Sequence, residues 1–457
     1  LTIQEKLPVA CIQVHAYDRD RFGERWPAVV ALVERAAQHG ARLIVVPEGS
    51  VPSYVLGEAP VEPEVLQRAE SALIGVAQAY ETTIVYGAAQ IIDGVTYNAA
   101  CAIGPDGSVL GFAHKNFLWH FDRLWFAPGD AIEPIATPFG ALGVLVCADG
   151  RIPTLARTLV DRGAELLVMP TAWVTSGRDP EHLENLQADL LAAVRARENG
   201  VPFVIANKAG TEQQSVAYCG KSSIVAADGT FVARAGELEE TILYGEIELG
   251  GARALRGPQL DVPRERPANV RRARLAIATA ASADEVSHLG RRAAQADAAG
   301  LIALGAGAAT ATDLATLDAP RSLHGVARIA GVTFGVVGDA TIEDPAGLVA
   351  ARLAGVDAFC WISEREPAWQ TELARARAAE LRAYVVVLAA RAGGRAFACD
   401  PDGVVICGTF GDFRVAAFVY DAERTAATLV APRTDVLEGL RRVAAIAAKP
   451  RGSASLG

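Results

Sequence analysis

The sequence predicts an α/β fold in two related halves, each with mixed sheets covered by helices on one side. Three observations carry this. Apolar strand-like runs alternate with amphipathic helical stretches from the first residues onward. A hairpin pattern interrupts the alternation and calls for antiparallel strands beside parallel ones. Segments of the first half return in the second, and 457 residues are too many for one ordinary core.

The elements follow in order. Val9 to Val14 is a short apolar strand, and Trp26 to Gln38 carries Val29, Val30, Val33 and Ala37 at helical spacing. Gly40 ends that helix before the strand Ala41 to Val46. A second helix is predicted over Pro63 to Ala79, followed by a strand over Thr83 to Ala88. Tyr97 to Ile103 and Val109 to Ala113, joined by Gly104-Pro105-Asp106-Gly107, form a hairpin bounded by strong turn residues. A strand-helix-strand unit spans Ala141 to Met169, with Leu155 and Leu159 on the apolar face of its helix. A long helix over His182 to Asn199 leads into the strand Phe203 to Asn207. Ser223 to Thr230 and Thr241 to Leu249 resemble antiparallel edge strands.

A connector rich in proline and charge, Arg256 to Pro267, places a domain boundary near 262, giving domains 1–262 and 263–457. Beyond it the pattern repeats imperfectly. Arg35-Ala36-Ala37-Gln38 returns as Arg292-Ala293-Ala294-Gln295, each leading into an apolar strand. Gly163 to Leu167 returns as Gly355 to Phe359, and that register pairs Pro153 with Pro345 and Cys147 with Asp339. Glu198-Asn199 matches Glu380-Leu381, and the turn Asp228-Gly229 matches Asp402-Gly403. Gly305-Ala306-Gly307 stands where the first half has Pro47-Glu48-Gly49. The second domain therefore reads as a divergent copy without the reactive residues of the first.

Composition narrows the function. A net charge of -10 and the absence of a basic block give no support for a nucleic-acid partner. The sequence holds no apolar run long enough to span a bilayer and opens without a leader pattern, so a cytoplasmic, non-membrane protein is expected. Seven dispersed cysteines read as reduced thiols, and no CxxC or compact Cys/His cluster suggests a metal site.

Three strand ends carry chemistry. Val45-Val46-Pro47-Glu48 delivers a carboxylate, Phe112-Ala113-His114-Lys115 an ammonium, and Val144-Leu145-Val146-Cys147 a thiol into a strand-to-helix turn. A thiol is a modest nucleophile until its proton is removed, which Glu48 could do. Lys115 and the N-H of Ala148, the residue after the thiol, could hold charge developing on a carbonyl oxygen. Lysine is scarce here, so one in an apolar strand context stands out.

Those residues resemble the nitrilase superfamily of carbon-nitrogen hydrolases, whose Glu, Lys and Cys match Glu48, Lys115 and Cys147 in order and context. Further matches are Cys147 to Pro153, Met169-Pro170-Thr171-Ala172-Trp173, Arg197-Glu198-Asn199 and Gly220-Lys221-Ser222-Ser223, and the likeness covers residues 7 to 250. The resemblance implies a four-layer αββα sandwich, no metal or organic cofactor, and a small amide or ureido substrate cleaved through a thioester. Because relatives pack one sandwich against another, it also implies an internal pseudo-dimer, with further homo-oligomer formation open.

Two features bear on mechanism. Where many relatives have a second glutamate, this chain has Asp122, which either positions Lys115 or the substrate, or pairs with Arg123 or caps its turn. Ala148 and Asp149 follow the cysteine, a pattern closer to amidase and carbamoylase relatives than to nitrile-cleaving ones. Arg151 either receives a substrate carboxylate or anchors the turn. Trp173, Tyr54 and Trp119 are candidates for substrate packing or plain core and surface aromatics. Nitrile hydrolysis, thioester-mediated transfer to an amine, and a non-catalytic scaffold are the alternatives.

Overall fold

The computed structural model describes residues 6–177, 179, 181–249, 252, 257–264, 269–279, 283–305, 308–313, 321–322, 325–390 and 394–450. The chain divides into two compact units: Leu1–Ala254 with Ala431–Thr434 and Arg442–Gly457, and Leu255–Val430 with Asp435–Arg441. Of the Arg256 to Pro267 connector, Arg256 and Glu265 to Pro267 lie outside the described residues, as do Ala306 and Gly307.

The first unit opens with β1 (Leu7–His15), α1 (Phe22–Gln38), β2 (Leu43–Val45), α2 (Pro63–Tyr80) and β3 (Thr83–Ile92). The α1 face carrying Trp26, Val29, Val33, Ala36 and Ala37 is buried, as the three- and four-residue spacing of its apolar side chains requires. A proline at the first position of α2 needs no N-H bond there. Strands β1, β2 and β3 pair in parallel, and β4 (Val95–Ile103) and β5 (Val109–His114) extend the sheet antiparallel. Within the Gly104 to Gly107 turn joining them, Gly107 N-H donates to Gly104 O at 2.9 Å.

After α3 (Asp122–Trp125) come β6 (Ile135–Thr137), β7 (Gly140–Val144), α4 (Pro153–Asp161), β8 (Leu166–Pro170), α5 (Ala192–Asn199) and β9 (Phe203–Ala206). The remaining strands are β10 (Lys208–Glu212), β11 (Val216–Cys219), β12 (Ser223–Val225), β13 (Phe231–Arg234) and β14 (Thr241–Ile247). The first sheet runs β11-β10-β1-β2-β3-β4-β5, with β14 antiparallel on β1, and the second runs β13-β12-β9-β8-β7-β6. The sheets face each other through β2 and β3 against β8 and β9. With α1 and α2 outside one sheet and α4 and α5 outside the other, the unit is a four-layer α/β sandwich.

Two elements depart from expectation: Ser223 to Thr230 ends as a strand at Val225 and lies between β9 and β13 rather than at an edge, and the α5 segment starts late. The helix predicted from His182 starts only at Leu186, opens with a π turn over Gln187–Leu191 and continues as α5. Asn185 explains the late start: its Oδ1 accepts from the N-H of Gln187 at 2.9 Å, satisfying a donor that a longer helix would have used.

The second unit contains β15 (Arg272–Thr279), α6 (Ala283–Gln295), β16 (Gly300–Gly305), β17 (Ala308–Asp313), β18 (Arg321–Ser322) and β19 (Val326–Ile329). It continues through β20 (Val332–Val337), α7 (Asp339–Glu343), α8 (Pro345–Leu353), β21 (Ala358–Ser363), α9 (Pro367–Leu381), β22 (Tyr384–Ala389), β23 (Ala396–Cys399), β24 (Val405–Gly408) and β25 (Val415–Asp421). Its sheets run β18-β17-β16-β15-β25 and β19-β20-β21-β22-β23-β24.

Several features parallel the first unit. A parallel pair joined through a helix begins both, and a late strand returns antiparallel to the first, β14 on β1 and β25 on β15. A buried arginine bonds a glutamate three residues on and a backbone carbonyl: Arg195 with Glu198 and Gly150 O, Arg377 with Glu380 and Ile342 O. The units diverge after their second strands, where β2 leads through α2 to parallel β3 while β16 turns directly into antiparallel β17. Asp339 begins α7 just as Cys147 begins its own turn, but its Oδ1 accepts from the Trp361 indole at 2.9 Å. Among the described residues no helix is long and apolar enough to cross a membrane.

Candidate active site

Three backbone exits from strands bring the predicted residues together. Past β2, Val46 N-H bonds Val85 O at 2.8 Å and Ser50 N-H bonds Gly87 O at 3.0 Å, so Glu48 leaves the sheet between two anchored points. Gly87 permits this approach: a methyl there would fall on the Glu48 Cα and lie 2.5 Å from Pro47 O. Past β5, Lys115 N-H bonds Asn98 O and its carbonyl accepts from Gly129 N-H, both at 2.8 Å. Past β7, Cys147 opens a 3-10 turn, Cys147–Arg151, with φ of 49°, a conformation side chains other than glycine rarely adopt.

Glu48, Lys115 and Asp122 form a fully buried charge cluster. Lys115 Nζ lies 2.8 Å from Glu48 Oε1 and 2.6 Å from Asp122 Oδ2, and all three residues are 0% exposed. The shorter Asp122, at the start of α3, reaches the ammonium directly. Its Oδ2 also accepts from Trp119 N-H at 2.7 Å, and its Oδ1 accepts from the Tyr54 hydroxyl at 2.8 Å. Asn98 Nδ2 donates to Glu48 Oε1 at 2.6 Å. Glu48 Oε2 is buried with no hydrogen-bond partner among the described residues. A buried carboxylate oxygen left open is costly unless something else visits it.

The charges shape one another. Burial alone would pull the Lys115 ammonium down, but Asp122, Cys147 and Glu48 raise it well above the ordinary lysine range. Burial pushes the Cys147 thiol up and the Glu48 charge adds to that, while Lys115, the Thr171 hydroxyl and the Ala172 backbone oppose it. Burial thus favours the neutral thiol beside Glu48 and Lys115. Burial, with Asp122 and Glu48 adding to it, likewise raises the Tyr54 hydroxyl, so it stays a donor.

Asp149 ties the thiol turn to the lysine segment. Its Oδ1 accepts from Asn116 N-H at 3.0 Å and Phe117 N-H at 2.8 Å, and its Oδ2 from Val146 N-H at 3.1 Å. Burial pushes its carboxyl up to about 7 against these donors and the Lys115 charge. Ala148 is buried beside Cys147, and the Arg151 guanidinium lies 4.9 Å from the centre of the Trp119 ring, which brings those two predicted residues together. Trp173 is buried; its backbone N-H donates to Asn207 Oδ1 at 2.7 Å, and its indole N-H has no partner among the described residues. Of the histidines flanking Lys115, His114 bonds Gln90 Oε1 at 2.5 Å and the backbone N-H of His120 donates to Thr434 Oγ1 at 2.7 Å.

Four residues beside the cluster were missed: Asn98, Lys208, Glu212 and Tyr218. Asn98 breaks an otherwise apolar stretch of β4, and Lys208 is as rare a residue type as Lys115. Glu212 and Tyr218 carried no comparable signal. Among the described residues no group of three or more His, Cys, Asp or Glu side chains is arranged to hold a metal ion. A thiol, a carboxylate with an open oxygen and a held ammonium can together perform nucleophilic attack, proton transfer and oxyanion stabilisation.

A model of the carbon-nitrogen hydrolase family matches residues 8–257, ending before β15. The omega-amidase NIT2-A of Xenopus laevis is 33% identical over 247 residues, covering 51% of this chain and 86% of that protein. The hydrolase in the pqqF 5' region of Pseudomonas protegens is 36% identical over 224 residues, 47% of this chain and 75% of its own. The solved structure of an amidase from Nesterenkonia sp. is 25% identical, with 54% of this chain and 91% of that chain covered and a TM-score of 0.49.

Proposed function

This chain belongs to the carbon-nitrogen hydrolase family and is a thiol-dependent hydrolase of C-N bonds, and from that premise we propose that it cleaves a small amide or N-carbamoyl compound through a thioester on Cys147. The open Oε2 of Glu48 carries this reading. It is the group that takes the thiol proton as sulfur attacks the carbonyl carbon. Charge then builds on the carbonyl oxygen, where the Lys115 ammonium and the Ala148 N-H stabilise it. Glu48 passes its proton to the departing nitrogen, releasing ammonia or amine, and then draws a proton from the water that opens the thioester. Asp122 holds Lys115 in place beside Glu48, and Tyr54 fixes Asp122.

Ala148 and Asp149 after the nucleophile support an amide or ureido bond over a nitrile. Should Arg151 receive a substrate carboxylate rather than anchor its turn, the substrate would be an ω-amide or an N-carbamoyl amino acid. The test is a panel of simple amides, ω-amides, N-carbamoyl amino acids and nitriles, read by ammonia release and intact-protein mass. Turnover with a transient acyl adduct is expected, and Cys147→Ala should lose both. Turnover or adduct persisting in that variant would refute the assignment.

We also propose that the second unit is a divergent, non-catalytic copy of the first. The strand order shared by the six-stranded sheets of the two units and the matched pairs Arg195 with Glu198 and Arg377 with Glu380 support it. Asp339 in place of the thiol, bonded by Trp361, supports the loss of chemistry.

A further inference from the structure

Lys208 and Glu212 stand at the two ends of β10 and form another fully buried ion pair, 3.2 Å apart and both 0% exposed. Their remaining bonds reach the loop that follows Glu48. Lys208 Nζ donates to Gly49 O at 2.9 Å, and Glu212 Oε1 accepts from Val55 N-H at 2.6 Å. Tyr218, on the neighbouring β11, donates its hydroxyl to Glu212 Oε2 at 2.8 Å, and Tyr17 donates to Ser50 O at 2.5 Å. The ammonium lies 5.7 Å from the centre of the Tyr17 ring and 5.4 Å from that of Tyr218, which closes a cage around it.

The loop between Gly49 and Val55 joins two parts of the centre. Glu48 precedes it, and near its end Tyr54 bonds Asp122, which in turn holds Lys115. Without a partner, Gly49 O would be a buried polar group left unsatisfied and Val55 N-H a half-buried one, each a penalty to the loop. A neutral donor or acceptor could satisfy either. A buried ion pair is weak evidence for stability, since apolar side chains of similar size often do as well. What this pair supplies is a rigid span that grips both ends of one loop.

We propose that Lys208 and Glu212 are positioning residues: by clamping Gly49 and Val55 they fix the open oxygen of Glu48 and the line Tyr54–Asp122–Lys115 relative to Cys147. This rests on the hydrolase reading above. Neither residue touches the reacting atoms. Their loss therefore acts on the rate of the chemical step and leaves substrate affinity largely intact.

The test compares wild type with Lys208→Met, Glu212→Gln and Lys208→Arg on the best amide of the panel. In the first two variants kcat should fall roughly 10- to 100-fold while KM stays within about twofold. The arginine variant should recover part of the loss, because a guanidinium can bridge Gly49 O and Glu212. A folded Lys208→Met enzyme with kcat within about twofold of wild type overturns the proposal, as does a loss fully explained by the unfolded fraction. Should Lys208→Met fail to fold, Tyr218→Phe removes one bond to Glu212 and keeps the ring, and the same separation of kcat from KM is required of it. If wild type turns over nothing on the panel, the hydrolase reading fails, and amide hydrogen exchange judges the clamp alone. Faster exchange at Val51 and Val55 in the folded variants supports it, and unchanged exchange refutes it.

Discussion

Replacing Glu48 with glutamine separates the proton-transfer role proposed for this residue from its place in the charge cluster. The new side chain can keep its carbonyl oxygen toward Asn98 and Lys115, where Glu48 Oε1 now accepts at 2.6 and 2.8 Å, and put its amide where Oε2 lies open. Lys115 keeps Asp122 at 2.6 Å, so no buried charge is orphaned. The stability cost is one charge-assisted bond, about 1–3 kcal/mol. Loss of a general base costs about 10²- to 10⁴-fold in rate. At roughly 1.36 kcal/mol per decade, that is about 3 to 5 kcal/mol of transition-state stabilisation. The thiol responds oppositely: the Glu48 charge raises it, so the variant thiol ionises at lower pH. Steady-state ammonia release should therefore collapse while alkylation of Cys147 by iodoacetamide, followed by peptide mass across roughly pH 5 to 10, shifts toward acid. Turnover within about tenfold of wild type, or an alkylation profile displaced toward alkali, would refute the reasoning.

Gly87→Ala drives a methyl onto the Glu48 backbone. It should cost about 1–3 kcal/mol of stability and lower kcat by up to roughly 100-fold, measured by thermal melting and turnover. For Asp149, the folded carboxyl sits at about 7 against an ordinary 3.8, so the folded chain binds that proton more tightly than the unfolded chain. Its contribution to stability is full below about 4 and is lost as pH rises through about 7. Asp149→Asn should flatten the dependence of the melting temperature on pH in that window, and at neutral pH should cost about 1–3 kcal/mol by facing Val146 N-H with a second donor. Asp339→Asn should leave turnover unchanged within about twofold; a larger loss would show that the second unit takes part in the chemistry.

The alternation of strands and helices in the first half could be read because each apolar face answers to local spacing. Trp26, Val29 and Val33 fall on one side of α1 whatever it packs against. The late start of the α5 segment was hidden because the capping role of Asn185 depends on which backbone donors are left open. Glu48, Lys115 and Cys147 were singled out by their strand-end context, and Asp122 only as a carboxylate with two open roles. Its bond to Tyr54 spans 68 positions, which no local pattern encodes. Lys208 escaped notice although the scarcity that marked Lys115 applied to it equally. Glu212 and Tyr218 acquire meaning only once β10 and β11 bring them against the loop after Glu48.

The two interior ammoniums have a practical side. The chain has five lysines, of which Lys115 and Lys208 are sealed in the interior, while Lys6 and Lys449 are exposed and Lys221 is partly so. Among lysine side chains, attachment to an amine-reactive support therefore falls to Lys6, Lys449 and the partly exposed Lys221, none of them part of the buried charge cluster or its proposed clamp. Covalently immobilised material should keep its reaction centre chemically untouched, and a lysine-directed label would report on the outside of the folded chain until it opens.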